Sequence, residues 1–491
     1  SGVRPQFITG PAHYPARDED MIDEDLVEAV LDVAMSQGKP LLAEVRAETI
    51  ESRNIAVKSG VVSSIVTSKD AGMNVRVVLP TGIGFAGSNG MSKAVGTELA
   101  KRAYMLARNV RLKHPVELSS EPPVRTSWEV RQDRPLADVT IEEQADFLKG
   151  VDSAVAKSKV KVEGRFFEIK TAEAHGRFAN SDGSRISSLL PRVRIDSSLV
   201  VTSKGESEQS MREFGGTGGW ELTEGWDLEK ALVDEVRMLK TIIDKGKAVK
   251  PGMYDLVCGP EVAGIAAHES CGHPMEADRI LGREMSQAGK SFVKPEMINF
   301  RIGSEYATVV DDPTIPGSYG YYAYDQEGVR ARPRHLYKEG LMHEFLTNRE
   351  TAATLGCQSN ASSRSETYLK EPIVRMANTH VAAGDFEDDE IFGSIKEGVL
   401  MHSFTEWNID DKRYNQKYVS REAYFIEDGE LGLPAKRCAL EITTPGFWGA
   451  LDAVSKTVKL YAAECGKGDP MQSAAVFTGG PMMRLRGVAL K

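Results

Sequence analysis

The hydrophobic pattern begins with a four-residue repeat near the start of the chain. Leu26, Val30 and Ala34 recur at this spacing, and Gly38 and Pro40 follow them. Such spacing puts the apolar side chains on one face of a helix, while Gly followed by Pro is a common way to end one. The pattern therefore predicts a first helix over residues 23–38.

The pattern then changes to the alternation that is typical of strands. Residues 41–87 are rich in Val, Ile and Thr, with glycines between the period-two stretches, which predicts three to five strands of an antiparallel sheet. Helical spacing returns over 92–110. Further strands are predicted over 160–206, on both sides of an Asp-Gly turn at 182–183.

Two later helices complete the first half of the chain. Thr140 and Glu143 form a candidate capping box that opens a helix to about Lys157. A long helix ends at Gly246 and carries an apolar face made of Leu228, Leu232, Val236, Leu239 and Ile243. A strand (253–259) and a helix (261–272) follow, and from about residue 300 the chain consists mostly of short strand-like runs.

These elements predict an α+β fold with a boundary near 247–252. Residues 1–20 form a Pro-rich, polar N-terminal arm, and residues 21–250 form an N-terminal α/β domain of helices and an antiparallel sheet. Residues 251–491 form a β-rich C-terminal domain, which carries the candidate metal site.

Composition excludes several classes of protein. The chain has 491 residues and a net charge of −10, with no basic run long enough to follow a nucleic acid backbone. No stretch approaches the roughly 20 apolar residues that a membrane-spanning helix needs. Five cysteines are too few and too scattered for a disulfide framework, so the expected location is the cytoplasm.

The candidate chemistry lies in HESCGH, where Glu269 directly follows His268 and a second histidine, His273, comes five residues after the first. A helix turns about 100° per residue, so the side chains of histidines four residues apart point in directions about 40° apart and can share a zinc ion. Histidines five residues apart point in directions about 140° apart and cannot share one on a regular helix. Gly272 and Pro274 flank the second histidine. We therefore expect Gly272 to end the helix in a left-handed conformation, which lets His273 fold back toward His268.

A metal at this position would give Glu269 a role as general base. Zinc lowers the pKa of a bound water to about 7, and a neighbouring carboxylate can take its proton and pass it to a leaving amine. A third protein ligand is needed, and local spacing leaves Cys258, Cys465, Glu276 and the scattered histidines as candidates. The alternative is structural, because a histidine near a helix end often interacts only with the helix dipole.

The stretch HESCGHPMEAD resembles the H-E-x-x-x-H motif of the TldD/PmbA family of metallopeptidases, on its metal-bearing TldD side. Four further segments resemble family motifs in the same order, at 309–329, 362–380, 421–431 and 462–470. The last contains Cys465 in the sequence C-G-K. The resemblance implies one zinc ion per chain, bound by His268, His273 and Cys465, with Glu269 as general base.

The same resemblance implies substrates and partners. Family members cleave unstructured peptides or process peptide precursors, and pair as two-fold dimers. The expected partners are therefore an extended peptide substrate and either a second copy of the chain or a paralogue without the metal motif. Nucleic acid and membrane are not expected partners.

The sequence departs from the family pattern at SNASS (359–363), SFTEWNID (403–410) and MQSAAVFTGGP (471–481). These changes leave the metal ligands intact, but they alter segments that are expected to line a peptide-binding cleft. Arg364 and Arg375 lie in 362–380, one of the segments that resemble family motifs. Each is expected to bind a peptide carboxylate or an oxyanion, or alternatively to form a structural ion pair. The leading prediction is a zinc metallopeptidase. The alternatives are a non-catalytic partner or scaffold subunit and a metal-dependent amidohydrolase that acts on small amides.

Overall fold

The computed structural model describes residues 22–112, 114–284 and 289–491. Helices make up 24% and strands 43% of the molecule, which confirms the predicted α+β class with a majority of strand. The predicted N-terminal arm, 1–20, lies outside the described residues. Within the described ranges, no helix has the length and apolar character required to cross a bilayer.

The N-terminal region is a twisted sheet covered by helices on one face. The strands are β1 (Leu42–Lys58), β2 (Val61–Leu79), β3 (Gly82–Ser88), β4 (Arg125–Glu129), β5 (Val162–Asn180), β6 (Arg185–Ser203) and β7 (Glu206–Thr217). The helices are α1 (Glu24–Ser36), α2 (Lys93–Asn109), α3 (Ile141–Ala156), α4 (Glu221–Gly225) and α5 (Leu228–Lys245). The strand order is β3-β2-β1-β5-β6, with β4 and β7 both pairing with β6.

Local signals in the sequence account for most of these elements. The Thr140 hydroxyl accepts a hydrogen bond from the Glu143 backbone N–H at 3.1 Å, which is one half of the predicted capping box. The Glu143 carboxylate pairs with Arg134 instead of completing the box. The long amphipathic helix is α5, and Gly246 follows its last residue. Its five predicted apolar residues are buried against the sheet and α3. Gly183 turns the chain between β5 and β6 with a φ of +104°, which only glycine adopts readily.

The other face of this sheet meets the C-terminal region. Asn74 on β2 donates a hydrogen bond to the Tyr368 carbonyl at 2.8 Å, and a Cβ atom on Gly72 would lie 2.2 Å from the Tyr368 ring. Glycine at position 72 therefore lets the two regions approach closely. The predicted boundary near 247–252 stays a prediction, and residues 247–248 pair with a C-terminal strand.

The C-terminal region contains two large sheets and several short elements. Its strands are β8 (Lys247–Ala248), β9 (Gly252–Cys258), β10 (Val309–Asp311), β11 (Arg334–Lys338), β12 (Leu341–Met342), β13 (Ser363–Arg364), β14 (Ile373–Val374), β15 (Asn378–Val381), β16 (Glu397–Ile409), β17 (Asn415–Glu427), β18 (Glu430–Lys436), β19 (Ala439–Thr443), β20 (Leu451–Val454), β21 (Lys459–Lys467), β22 (Gln472–Gly480) and β23 (Met483–Leu490). Its α-helices are α6 (Pro260–Ala267), α7 (Ala277–Ile280), α8 (Arg349–Leu355) and α9 (Thr444–Gly449).

One sheet has the order β16-β9-β23-β19-β17-β18-β8, and an additional pairing of β16 with β17 closes its first five strands into a ring. The other has the order β12-β11-β10-β15-β22-β21. Helix α6 packs on the second sheet, where a Cβ atom on Gly264 would lie 2.4 Å from the backbone nitrogen of Gly479. This close approach brings the end of α6 next to β21 and β22.

Candidate metal centre

The HESCG segment is a single turn of π-helix. Helix α6 ends at Ala267, the π-helical turn covers His268–Gly272, and a 3₁₀ turn covers His273–Met275. The backbone N–H of His273 donates to the carbonyl of His268, a bond that spans five residues. A π turn brings residues five apart onto the same side, so both histidines face one point. The spacing of five residues between His268 and His273 therefore suits a π turn, whereas a spacing of four suits an α-helix.

The predicted left-handed break at Gly272 is wrong. The φ of Gly272 is −55°, an ordinary right-handed helical value that any residue can adopt. A Cβ atom at this position would lie 1.9 Å from the Sδ atom of Met376, well inside contact distance. Glycine is therefore required here for close packing against Met376 and not for backbone freedom.

The π turn is held by side chains around Ser270. The Ser270 hydroxyl donates to the Ala266 carbonyl at 2.6 Å and accepts from the Trp448 indole N–H at 3.1 Å. The Tyr337 hydroxyl donates to the Ser270 carbonyl at 3.2 Å. Because Trp448 and Tyr337 are themselves fully buried, these contacts fix the turn to the core of the C-terminal region.

The structure brings the three predicted ligands together. One donor atom from each of His268, His273 and Cys465 lies within 4.8 Å of the others, and the Sγ of Cys465 is 3.5 Å from Nε2 of His273. All three side chains are buried. Two imidazoles and a thiol form a donor set that suits zinc, and the buried Nδ1 of His268 has no hydrogen-bond partner among the described residues. The residues present therefore fit a bound metal ion.

Among the candidates for a third ligand, Cys465 is the one whose side chain lies in the cluster with both histidines. Glu276 contacts the other side of the His273 ring, where its Oε2 lies 2.9 Å from Nδ1, so it orients this histidine and does not join the cluster. Cys258 is not part of the cluster found among the described residues. Cys465 comes from β21, the edge strand of the second sheet.

Glu276 is a fully buried carboxylate surrounded by cations. It accepts a hydrogen bond from Arg279 Nε at 2.6 Å, and Lys467 Nζ lies 3.2 Å away. Burial alone would raise the pKa of Glu276, but Lys467, His273 and Arg279 hold it well below its ordinary value. The carboxylate is therefore ionised and accepts from Nδ1–H of His273, which leaves Nε2 free to bind a metal.

Lys467 lies beside the metal cluster, and the sequence-based predictions did not include it. Its ammonium group donates to both Asp278 oxygens at 2.7 and 2.8 Å and to the Val374 carbonyl at 2.7 Å. Asp278 therefore binds this lysine rather than a ligand histidine. The C-G-K sequence contains a signal that could have identified Lys467. Residues two apart on a strand point to the same side, so Lys467 lies beside Cys465.

Cys465 is surrounded by positive charge. Burial would raise the pKa of its thiol, but His273, His268 and Arg375 hold that pKa well below its ordinary value. Arg375 also donates to the Cys465 carbonyl and, at 3.0 Å, to the carbonyl of Gln472. Burial disfavours the charged form of His268, yet Cys465 and Glu269 raise its pKa overall. The cluster thus favours a thiolate next to imidazole.

Glu269 is buried on the π turn and forms an ion pair with Arg413. Arg413 lies in the turn between β16 and β17, has a φ of +64°, and accepts a hydrogen bond at its carbonyl from the Thr444 hydroxyl at 2.8 Å. No local pattern in the sequence marks Arg413, which is 144 residues away from Glu269 and was not predicted. The ion pair fixes the Glu269 carboxylate on the π turn, directly after His268.

Arg364 and Arg375 do not form the ion pairs that were one of two predictions for them. Arg364 donates to the carbonyls of Met376 and, at 2.8 Å, Ala475. Neither arginine pairs with a carboxylate in the part of the chain that the structure describes.

Family models for three consecutive domains match the chain. They are described as PmbA/TldA metallopeptidase domain 1 (43–107), central domain (134–243) and C-terminal domain (251–491). The chain belongs to the TldD/PmbA family. Relatives include a metalloprotease of Methanothermobacter thermautotrophicus, which is 31% identical over 90% of this chain and 94% of its own length. A zinc metalloprotease TldD homolog of Saccharolobus solfataricus is 29% identical over 59% of this chain and 62% of its own length.

Solved structures share the TldD/PmbA fold. TldE from Thermococcus kodakarensis superposes with a TM-score of 0.69 at 18% identity, and covers 95% of this chain and 99% of its own. A putative modulator of a DNA gyrase from Thermotoga maritima superposes with a TM-score of 0.74 at 14% identity, over 95% of this chain and 100% of its own. At these identities the likeness supports the fold alone. The names of the curated relatives support a metallopeptidase.

Proposed function

We propose that this chain is a zinc-dependent metallopeptidase on the metal-bearing TldD side of the family, with one zinc ion per chain. The observation that carries the proposal is the buried cluster of His268, His273 and Cys465, whose donor atoms lie within 4.8 Å of one another. A structural role alone does not explain why two imidazoles and a thiol with a lowered pKa converge in the core.

The mechanism assigns a task to each surrounding side chain. Bound zinc would supply Lewis acidity toward the scissile carbonyl and lower the pKa of water. Glu269 takes the proton of the attacking water and delivers it to the leaving amine. Arg413 holds the Glu269 carboxylate in position. Glu276 fixes the His273 ring through Nδ1, as carboxylates commonly do for ligand histidines.

The position of Cys465 supports an extended peptide as substrate. Strand β21 ends the order of its sheet, and β22 is its one hydrogen-bonded strand neighbour among the described residues. An extended peptide can add to such an edge and be bound mainly through its backbone. Folded proteins cannot offer a free strand, so they are excluded. The proposed partner is a second copy of the chain or a metal-free paralogue.

Metal content of the purified chain and of the Cys465→Ala variant tests the metal site. We expect about one zinc per chain, lost in Cys465→Ala and kept in Cys357→Ala, which removes an exposed cysteine. A wild-type chain that neither contains nor takes up zinc would favour the scaffold alternative. Zinc kept in Cys465→Ala would mean that the third ligand is another residue.

Cleavage assays then separate the two enzymatic possibilities. We expect the zinc-loaded chain to cleave an unfolded protein and to leave its folded form intact, with activity lost in Glu269→Gln. Turnover of small amides without cleavage of the unfolded protein would favour the amidohydrolase.

A further inference from the structure

Residues 365–372 join β13 to β14 and reach from the C-terminal region to the N-terminal sheet, and we call them the bridging loop. The two strands that it joins form a short antiparallel pair, with Ser363 opposite Val374. The tip of the loop contacts β1 and β2, whereas its two ends contact β22. The bridging loop therefore connects two separate sheets of the molecule.

Tyr368 fixes the tip of the bridging loop on the N-terminal sheet. Asp70, Gly72 and Asn74 alternate along β2, so they face the same side of the sheet. The Tyr368 hydroxyl donates to Oδ1 of Asp70 at 2.7 Å, and the Tyr368 carbonyl accepts from Nδ2 of Asn74 at 2.8 Å. Because Gly72 has no side chain, the ring lies directly against the backbone between these two contacts, where Tyr368 is buried.

Arg46 on β1 provides a second anchor for the same tip. Its Nη2 atom donates to the Ser365 hydroxyl and to the Thr367 carbonyl, both at 2.9 Å. These bonds hold the residues before Tyr368, while the contacts with β2 hold Tyr368 itself. A loop that is hydrogen-bonded on both sides and carries a buried aromatic ring opens less readily than a loop in solvent.

The two ends of the bridging loop are bound to Gln472, the first residue of β22. The Glu366 backbone N–H donates to Oε1 of Gln472 at 3.2 Å, and Nε2 of Gln472 donates to the Glu371 carbonyl at 3.0 Å. Gln472 lies opposite Lys467 on β21, two residues after Cys465. Gln472 therefore links both ends of the loop to the strand that carries the third metal-ligand candidate.

The segment that follows the bridging loop reaches Cys465 itself. Arg375 comes directly after β14 and is fully buried. It donates to the Cys465 carbonyl and, at 3.0 Å, to the Gln472 carbonyl. The next residue, Met376, packs its sulfur against Gly272 of the π turn. One short segment thus supports both the backbone of Cys465 and the turn that carries the two histidines.

We propose that docking of the bridging loop on the N-terminal sheet positions Cys465 for metal binding, with Tyr368 as the positioning residue. The proposal rests on the metal site proposed above and makes the N-terminal sheet a determinant of its affinity. A metal site needs its donor atoms held within about 0.5 Å of their productive positions. When the tip leaves the sheet, Arg375 and Gln472 lose their anchor, and the backbone of Cys465 gains freedom.

Zinc affinity of the full chain, measured by competition with a chromogenic chelator, tests the consequence for the metal. We expect Tyr368→Ala, which removes the ring packed on Gly72, to bind zinc at least about tenfold more weakly than the wild type. Tyr368→Phe keeps the ring and loses only the bond to Asp70, so its affinity should stay within about threefold of the wild type. Leu369→Ala, at the half-exposed next position of the loop, should leave the affinity unaltered.

Alkylation of Cys465 in the metal-free chain tests the position of the thiol without any metal. Cys465 is 4% exposed, so its rate of reaction with iodoacetamide, followed by mass spectrometry, measures how often its surroundings open. We expect this rate to be at least about tenfold higher in Tyr368→Ala and to match the wild type in Tyr368→Phe. Cys357, which is exposed, serves as the internal reference because its rate should not change.

A general loss of stability is distinguished by Leu232→Ala. Leu232 is buried on α5, on the face of the N-terminal sheet opposite the bridging loop, so this change creates a cavity without altering the loop. Its zinc affinity and its Cys465 alkylation rate should equal those of the wild type. If Tyr368→Ala does not fold, Asn74→Ala replaces it, because this change removes one bond to the loop and should weaken zinc binding about threefold.

The proposal is overturned if Tyr368→Ala matches the wild type in both measurements, or if Leu232→Ala changes both by as much as Tyr368→Ala does. A change in only one of the two measurements also contradicts it, because Cys465 is then not the link between the loop and the metal. A wild-type chain that takes up no zinc contradicts the metallopeptidase instead. The alkylation rates still decide in that case whether the bridging loop positions Cys465.

Discussion

The His273 ring lies between two partners on opposite edges, with Glu276 Oε2 2.9 Å from Nδ1 and Cys465 Sγ 3.5 Å from Nε2. The ionised glutamate accepts from Nδ1–H of His273 and thereby fixes the ring with Nε2, the nitrogen that would bind a metal, facing the sulfur of Cys465. Arg279 and Lys467 form ion pairs with Glu276 and so hold its carboxylate beside the His273 ring.

We predict that Glu276→Gln lowers metal affinity about 10- to 100-fold, the usual effect of removing a carboxylate behind a ligand histidine. Competition with a chromogenic chelator measures this directly. Glu296→Gln, a change at an exposed site, should leave affinity unaltered. Equal affinities for Glu276→Gln and wild type would mean that Glu276 has only a structural role.

Gly272→Ala should destabilise the chain by about 1–3 kcal/mol, because its Cβ would overlap the sulfur of Met376. Denaturant unfolding provides the measurement. Gly225→Ala is the matched control, since nothing lies within 4 Å of a Cβ there. Adding Met376→Ala should restore part of the loss in Gly272→Ala, in a double-mutant cycle. Absence of coupling would argue for a conformational rather than a steric requirement.

Arg413→Gln should reduce kcat by about tenfold to a hundredfold with metal content unchanged, because the Glu269 carboxylate loses the partner that positions it. Arg413→Lys should recover part of the activity by keeping the charge. Lys412→Gln, at the exposed neighbouring position, serves as the control. A rise in KM with kcat unchanged would contradict positioning of Glu269 and indicate a role in substrate binding.

The metal-free chain should contain one thiolate at neutral pH. The pKa of Cys465 is held well below its ordinary value of 9.0, whereas burial raises the pKa of Cys258, Cys271 and Cys438. Because the folded-state pKa is depressed, the thiolate persists as pH falls below 9.0 and disappears only when pH passes through the folded value. Ultraviolet thiolate absorbance of wild type minus Cys465→Ala measures it. A difference that develops only above pH 8 would contradict the prediction.

Residue patterns predicted the elements whose signals are local. The apolar faces of α1 and α5, the Thr140 cap and the turn at Gly183 all depend on neighbours within a few residues, so periodicity and turn chemistry identify them. The conformation of HESCG was wrongly predicted, because it depends on Met376, Trp448 and Tyr337, which contact the turn from distant parts of the chain.

The sequence alone shows two histidines and a glutamate in one short segment, and the family motifs imply which distant cysteine joins them. How these side chains are placed relative to one another depends on the fold. Cys465 lies 192 residues from His273, and Arg413 lies 144 residues from Glu269. Local spacing carries no information about such pairs, because the packing of α6 on β22 and the closure of the β16–β17 turn over the site determine their distances.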